Sequence, residues 1–241
     1  MMVRVAVVGA RGRMGSAVCD AVRDDDELEL VAEIGSSDGL DGTLDAGADV
    51  AVEFTLPSSV KRNTVWLLEH GVHTVVGATG LTDGDLEELA GRTGPANCFV
   101  APNFAVGAVL LMRFAEQAVR HLPSVEITEL HHDRKLDAPS GTAVRTAGLI
   151  AAARGGAPPS GSDSVPTRPL ARGQVVSGVP VHSVRLPGLV ASQEVVFGGP
   201  GQTLTLRHDS FDRASFLPGV LLAVKRVASL PGLTVGLEAL L

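Results

Sequence analysis

The sequence predicts an α/β protein in two units: a doubly wound parallel sheet, and a second α+β unit carrying an open mixed sheet. Three observations predict it. Over the first hundred residues, short apolar runs rich in β-branched residues alternate with helix-like stretches, as strand–helix–strand repeats do. The first of these runs ends in a glycine-rich turn that opens a helix. From Val179 onward, strand-like runs follow one another directly, with Pro-Gly and Gly-rich turns between them.

The elements follow in order. Val3–Val8 is a continuous apolar run closed by Gly9, as expected of a strand covered on both faces. Gly9-Ala10-Arg11-Gly12-Arg13-Met14-Gly15 then leads into an Ala/Val-rich helical stretch to Arg23. Leu28–Ile34 and Ala48–Phe54 read as the second and third strands, Leu67–Gly71 as a helix end, and Val72–Val76 as the fourth strand. Thr82, with Asp85 three residues on, is a helix start, and that helix runs to about Gly91. Cys98–Ala101 is a short fifth strand. Val125–Leu130 alternates as a strand, and Ala143–Ala153 reads as a helix with Ser140 as its N-cap. Residues 154–178, rich in Gly, Pro, Ser and Arg, read as one long loop. Val179–Leu186, Ala191–Phe197 and Gln202–His208 read as strands, and with Val125–Leu130 they make a sheet of about four. Their apolar residues Val179, Val181, Val184, Leu186, Leu189, Val190, Val195, Val196 and Phe197 suggest burial in a subunit interface. Ser215–Ser229 is amphipathic, with Phe216, Leu217, Val220, Leu221, Val224 and Val227 on one side.

Composition narrows the partners. The chain has 241 residues, 45% apolar and 20% charged, which suits a packed fold of one large or two small domains. Net charge is −7, and aromatics are limited to seven Phe and one Trp, so the basic, aromatic face of a nucleic-acid binder is not expected. The opening MMVRVAVVGARGRMG reads as a strand and turn rather than a secretory leader. The longest apolar stretch, near Phe104–Met112, is far below the ~18 residues of a spanning helix, so no membrane partner is expected. Cys19 and Cys98 have no metal or redox spacing and read as reduced structural thiols of a cytoplasmic protein. A small molecule is the expected partner.

Two segments carry chemistry. The GxxGxxG turn is a variant of the dinucleotide fingerprint: its glycines let backbone approach a pyrophosphate, and the helix start presents N–H groups beside Arg11 and Arg13. Its alternative is an ordinary glycine-rich strand-to-helix turn. Gly77-Ala78-Thr79-Gly80 and Ala101-Pro102-Asn103-Phe104 stand at other strand ends and are expected to line the same cleft. The second strand ends Glu33-Ile34-Gly35-Ser36-Ser37, with no carboxylate at Gly35 to repel a 2′-phosphate, so either NADH or NADPH is expected to serve. The second segment is His131-His132-x-x-Lys135 followed by Asp137-Ala138-Pro139-Ser140-Gly141-Thr142. Here cationic, proton-donating groups precede a helix start whose Gly141 and Thr142 N–H groups suit a carboxylate. The alternatives are a solvated or structural histidine pair and a solvated Arg134. No metal is expected, because adjacent histidines rarely chelate one ion and no Cys/His cluster completes a set.

The segment from His131 to Ala143 resembles the signature of the 4-hydroxy-tetrahydrodipicolinate reductase (dihydrodipicolinate reductase) family. The likeness continues through the GxxGRMG loop, the loops at Gly77–Gly80 and Ala101–Phe104, Ser183–Gly188, His208–Ser210 and Pro218–Gly219. The resemblance implies reduction of 4-hydroxy-tetrahydrodipicolinate by NADH or NADPH, in the diaminopimelate route to lysine. It makes His131 the acid/base residue and Lys135 a proton donor, with His132, Gly141 and Thr142 binding the dicarboxylate substrate. It assigns the nucleotide to Gly9, Ala10, Arg11, Gly12, Arg13 and Met14, to Gly77, Ala78 and Thr79, and to Ala101, Pro102, Asn103 and Phe104. It implies a discontinuous Rossmann-like domain, residues 1–104 and 214–241, a substrate and oligomerisation domain at 105–213, and a homotetramer built on the second sheet. Gly35 departs from relatives with an acid there, and the roles of Glu53 and Arg213 stay open. Two other readings compete: a different Rossmann oxidoreductase acting on an amino or hydroxy acid, which leaves the His131–Thr142 pattern unexplained, and a non-catalytic NAD(P) sensor, which needs neither His131 nor Lys135.

Overall fold

The computed structural model describes residues 2–92, 94–155 and 169–241. The chain divides into two compact units, Met1–Val106 with Arg213–Leu241, and Gly107–Asp212.

The first unit begins β1 (Val3–Val8), α1 (Arg13–Arg23), β2 (Leu28–Ile34), α2 (Asp41–Asp45), β3 (Val50–Glu53), α3 (Val60–Glu69), β4 (His73–Val76), α4 (Asp83–Ala90) and β5 (Cys98–Val100). Helix α5 (Val106–Ala118) begins at its boundary with the second unit, which continues β6 (Ser124–His131), α6 (Gly141–Arg154), β7 (Gln174–Val176), β8 (Val179–Arg185), β9 (Ala191–Gly199) and β10 (Gln202–Ser210). The first unit closes with α7 (Leu217–Arg226) and β11 (Leu233–Val235).

The first unit's sheet runs β11-β5-β4-β3-β1-β2, and every pairing is parallel. Val5, Ala6 and Val7 of β1 are fully buried, so the continuous apolar run is Val5–Val8, and Arg4 at the strand's start is exposed. Six strands are present where the sequence showed five. Strand β11 is three residues between Gly232 and Gly236, too short for any periodicity, and β5 templates it through parallel pairing. The Asn97 amide secures the same return: it donates to the Val227 and Ala228 carbonyls at 3.1 Å and accepts from the Gly232 N–H. The single helix expected over 215–229 is divided into a 3-10 turn, α7 and another 3-10 turn. Pro218 at the start of α7 has no N–H to continue the preceding turn. Lys225 on α7 pairs with Asp25 at 2.9 Å and with Glu27, just after α1.

The second sheet runs β10-β9-β6-β8-β7, with β6 and β8 parallel and the other pairs antiparallel. Its fifth strand, β7, lies inside the segment expected to be loop; Gly156 and Gly161 of that segment lie outside the described residues. Val179, Val181, Val195 and Phe197, expected in a subunit interface, are buried in this unit's own core with Ile127, against Leu111 and Ala115 of α5 and Ala147 and Ile150 of α6. The two-residue strand period decides it: one set of side chains meets the helices, and Leu186 and Val190, of the other parity, stay exposed.

No helix among the described residues is long and apolar enough to cross a membrane. No group of three metal-ligating side chains occurs among them. Cys19 and Cys98 are free and buried, and burial pushes their thiols up to about 11 and about 12, so both are inert protonated core groups.

Candidate active site

The glycine turn after β1 is shaped by close backbone approach. Gly9 has φ +89, and a side chain there would meet the Phe54 carbonyl at 2.6 Å. At Gly15 a Cβ would lie 2.1 Å from the Gly9 carbonyl oxygen, so α1 sits as close to the turn as its backbone allows. The N-cap of α1 is Gly12, whose lack of a side chain leaves the helix start uncapped. Arg11, Gly12 and Arg13 are exposed there, Met14 is half-buried, and Ala10 is buried. An uncapped helix N-terminus flanked by two exposed arginines fits a dinucleotide pyrophosphate.

The end of β2 differs from its sequence reading in one respect. Glu33 turns away and pairs with Arg23, but Asp38 reaches back, accepting from the Gly35 N–H at 2.8 Å and pairing with Arg11 at 3.1 Å. The Arg11 guanidinium lies over Gly35, where a Cβ would meet it at 2.9–3.1 Å. The carboxylate missing at position 35 is thus supplied three residues later, with its charge offset by Arg11. The Gly35 hydrogen bond holds the Asp38 carboxyl below its usual range.

At the end of β3, Glu53 is fully buried and accepts from Thr55 Oγ1, the Thr55 N–H and Asn63 Nδ2. Its backbone carbonyl accepts from the N–H groups of Gly77 and Ala78, which anchors the second glycine loop. Gly77 lies against the Phe54 ring, where a Cβ would be 2.3 Å away, while Thr79 is exposed. In the third loop, Ala101 and Phe104 are buried, Pro102 is exposed, and Asn103 Oδ1 accepts from the Ala105 N–H. The Phe104 ring packs between Phe54 and Phe99, with centroids 6.3 and 6.1 Å away.

Burial raises the Glu53 carboxyl, with the three hydrogen bonds opposing. A raised folded-state value means the native chain holds its proton longer than the unfolded chain, so this group's stability contribution falls as pH rises above about 4.5. Glu53→Gln is therefore expected to gain stability relative to the parent between pH 5 and pH 8 in denaturant melts. An unchanged difference across that range would contradict the shift.

The second unit carries the histidine segment. In β6 the inward side chains are Val125, Ile127, Glu129 and His131, at the strand period of two. The strand delivers His131 to its C-terminal end, mostly buried, with its Nδ1 2.5 Å from Glu129 Oε2. Burial lowers the His131 imidazole below its ordinary value; Glu129 opposes this, and the charges of Lys135 and Arg185 add to it. The chain then turns, the Lys135 N–H donating to the His132 carbonyl at 3.1 Å. Lys135 Nζ donates to both carboxylate oxygens of Asp137 at 2.8 Å. His132 Nδ1 is buried without a hydrogen-bond partner among the described residues. Arg134 is exposed. Ser140 caps α6, its hydroxyl accepting from the Ala143 N–H at 3.3 Å. A Cβ at Gly141 would meet nothing within 4 Å, so this helix start is open.

The sequence reading missed Glu129 and Arg185. Arg185 of β8 forms a two-pronged pair with Glu129, Nη1 to Oε2 at 2.9 Å and Nη2 to Oε1 at 2.7 Å. Arg185 Nη2 also donates to the Asp137 carbonyl, and Glu129 Oε1 accepts from the Ser140 N–H at 3.2 Å. A signal existed: an acid stands at a core-facing position of an alternating strand, two residues before a histidine on the same face.

The family model described as "Dihydrodipicolinate reductase, N-terminus" matches residues 3–104, and its C-terminus counterpart matches 107–241. Proteins named 4-hydroxy-tetrahydrodipicolinate reductase are 56% identical in Nocardia farcinica, over 100% of this chain and 99% of that one, and 54% identical in Streptomyces griseus, over 98% and 96%. The solved dipicolinate-bound dihydrodipicolinate reductase of Paenisporosarcina sp. TG-14 superposes with TM-score 0.90 at 39% identity, covering both chains fully. By sequence over its whole length, and by fold, the chain belongs to the dihydrodipicolinate reductase family.

Proposed function

We infer that this protein reduces 4-hydroxy-tetrahydrodipicolinate to tetrahydrodipicolinate, with loss of water, using NADH or NADPH in the diaminopimelate route to lysine. The observation that carries the reading is the ordered segment from His131 to the α6 start, within a chain of this family. The first unit holds the nucleotide through Gly9–Met14, Gly77–Thr79 and Ala101–Phe104. The second unit holds the substrate, a dicarboxylate like the dipicolinate named for the Paenisporosarcina relative.

When bound, the reduced nicotinamide supplies a hydride to ring carbon C4 of the substrate. This chain's residues manage charge and protons. His132 and the N–H groups of Gly141 and Thr142 bind the carboxylates at the positive end of α6. His131 and Lys135 supply the proton that neutralises negative charge developing on the substrate ring.

Nicotinamide absorbance, with substrate made freshly from pyruvate and aspartate semialdehyde by the upstream synthase, tests the reading. Oxidation of either nucleotide is expected, with kcat/KM of similar order for the two because Arg11 offsets Asp38. Exclusive NADH use would contradict the cofactor tolerance. No oxidation at all would favour a sensor, and oxidation only with other acids a different oxidoreductase. The protein assembles as a homotetramer on the open face of the second sheet, where Leu186 and Val190 are exposed. Light scattering is expected to return four chains, and a clean monomer would sink that assembly.

A further inference from the structure

We infer that Glu129 is the positioning residue of the site: it holds His131 in its Nδ1–H tautomer, so that Nε2 is the atom that exchanges the proton. The inference rests on the acid/base role of His131 proposed above and goes beyond it, since nothing in that role specifies a tautomer or a partner.

Glu129 is fully buried and ionised, with five hydrogen-bond donors converging on its two oxygens: the Arg185 Nη1 and Nη2 groups, the Ser140 N–H, the Ser183 hydroxyl and His131 Nδ1. An ionised carboxylate only accepts, so the imidazole nitrogen facing it must carry hydrogen. Burial raises the Glu129 carboxyl, but the hydrogen bonds from Arg185, Ser183 and His131 outweigh this and hold it below its usual range. The acceptor therefore stays charged wherever His131 titrates. With Nδ1–H committed, neutral His131 has its lone pair at Nε2, and protonated His131 has its transferable proton there.

The same carboxylate accepts the N–H of the α6 cap, and Arg185 grips the Asp137 carbonyl. One buried ion pair thereby fixes both the imidazole and the entry to the helix that meets the substrate. The charged groups facing His131 are Glu129 on its own strand, Arg185 on β8 and Lys135 on the loop, with Asp137 held by Lys135; its neighbour on β9 is Ala191.

The test is nitrogen NMR of the full-length protein labelled at its seven histidines, with His131 assigned by its absence from the His131→Asn spectrum. In the parent protein, neutral His131 is expected to carry its proton on Nδ1. Glu129→Gln places an amide N–H₂ opposite Nδ1. It is expected to flip the tautomer to Nε2–H, lower the His131 titration midpoint, and cut kcat by ~10²-fold or more, as mis-set tautomers do elsewhere. Arg185→Gln is expected to raise the midpoint, because it removes a cation and leaves the carboxylate. A merely structural ion pair predicts no such opposition. If Glu129→Gln fails to fold, the parent tautomer and the Arg185→Gln shift decide the matter. An Nε2–H tautomer in the parent, or an Arg185→Gln midpoint that stays or falls, overturns the inference. Near-normal turnover by His131→Asn would instead remove the acid/base role while leaving the tautomer assignment standing, so the two failures are distinct.

Discussion

His131→Ala is expected to lower kcat by ~10²-fold or more, the usual contribution of a positioned general acid or base. Folding is expected to survive, because His131 ends β6 rather than filling its core, and Ile127 and Val125 below it are untouched. Circular dichroism and an unchanged affinity for the nucleotide would verify this. Lys135→Ala is expected to cause a loss of the same order in kcat, with an added rise in KM. In the free protein the Lys135 ammonium neutralises Asp137, and removing it leaves a bare carboxylate beside an anionic substrate. An unpaired aspartate is ionised throughout neutral pH, so that repulsion persists without Lys135. Lys135→Ala with Asp137→Ala is therefore expected to recover KM but not kcat. A double variant that recovers kcat would make Lys135 a charge-balancing residue rather than a proton donor, and near-normal kcat in His131→Ala would remove that residue from the chemistry.

Gly15→Ala is expected to damage both stability and nucleotide binding. Its Cβ would lie 2.1 Å from the Gly9 oxygen, 2.7 Å from the Gly9 carbonyl carbon and 2.9 Å from Ala10 Cα, all backbone atoms. Backbone cannot yield as a side-chain tip can, and α1 is held against the sheet along this same face by the fully buried Val18 and Val22. Overpacking of this kind costs ~1–3 kcal/mol, and the displaced helix start would no longer meet a pyrophosphate. Thermal melts with nucleotide titration check this. Gly12→Ala meets only the Gly9 oxygen, at 3.1 Å, and is expected to cost less, while Gly141→Ala has open space and is expected to leave stability unchanged. A Gly15→Ala protein as stable as Gly141→Ala would show that the close approach carries no weight.

Much of this protein was legible in its sequence because the signals are local. Strand β1 announces itself by the apolar run Val5–Val8, closed by Gly9. The Thr82–Asp85 pair appears as a reciprocal capping box at the start of α4. Ser140 caps α6 because its oxygen reaches an N–H three residues on. The glycines of the first turn declare themselves by spacing, since helix and strand meet there at a separation that admits no side chain.

What the sequence alone determined, then, is the alternation that makes a parallel sheet, the glycine turn, and the segment holding His131, Lys135 and the α6 start. Tertiary structure decided the partners. Arg185 reaches Glu129 across 56 positions of chain, and no local period relates them. Parallel pairing of β6 with β8 sets Arg185 opposite His131 and two residues along the same face from Glu129. Strands β7 and β11 owe their existence to the edges they join, being three residues each. The acid beside the turn is Asp38 rather than a residue at position 35, because the chain after β2 folds back onto its own Gly35 N–H. Local spacing specifies what a short stretch can become, and the carboxylates that set charge and tautomer are chosen by whichever distant strand or turn packs against them.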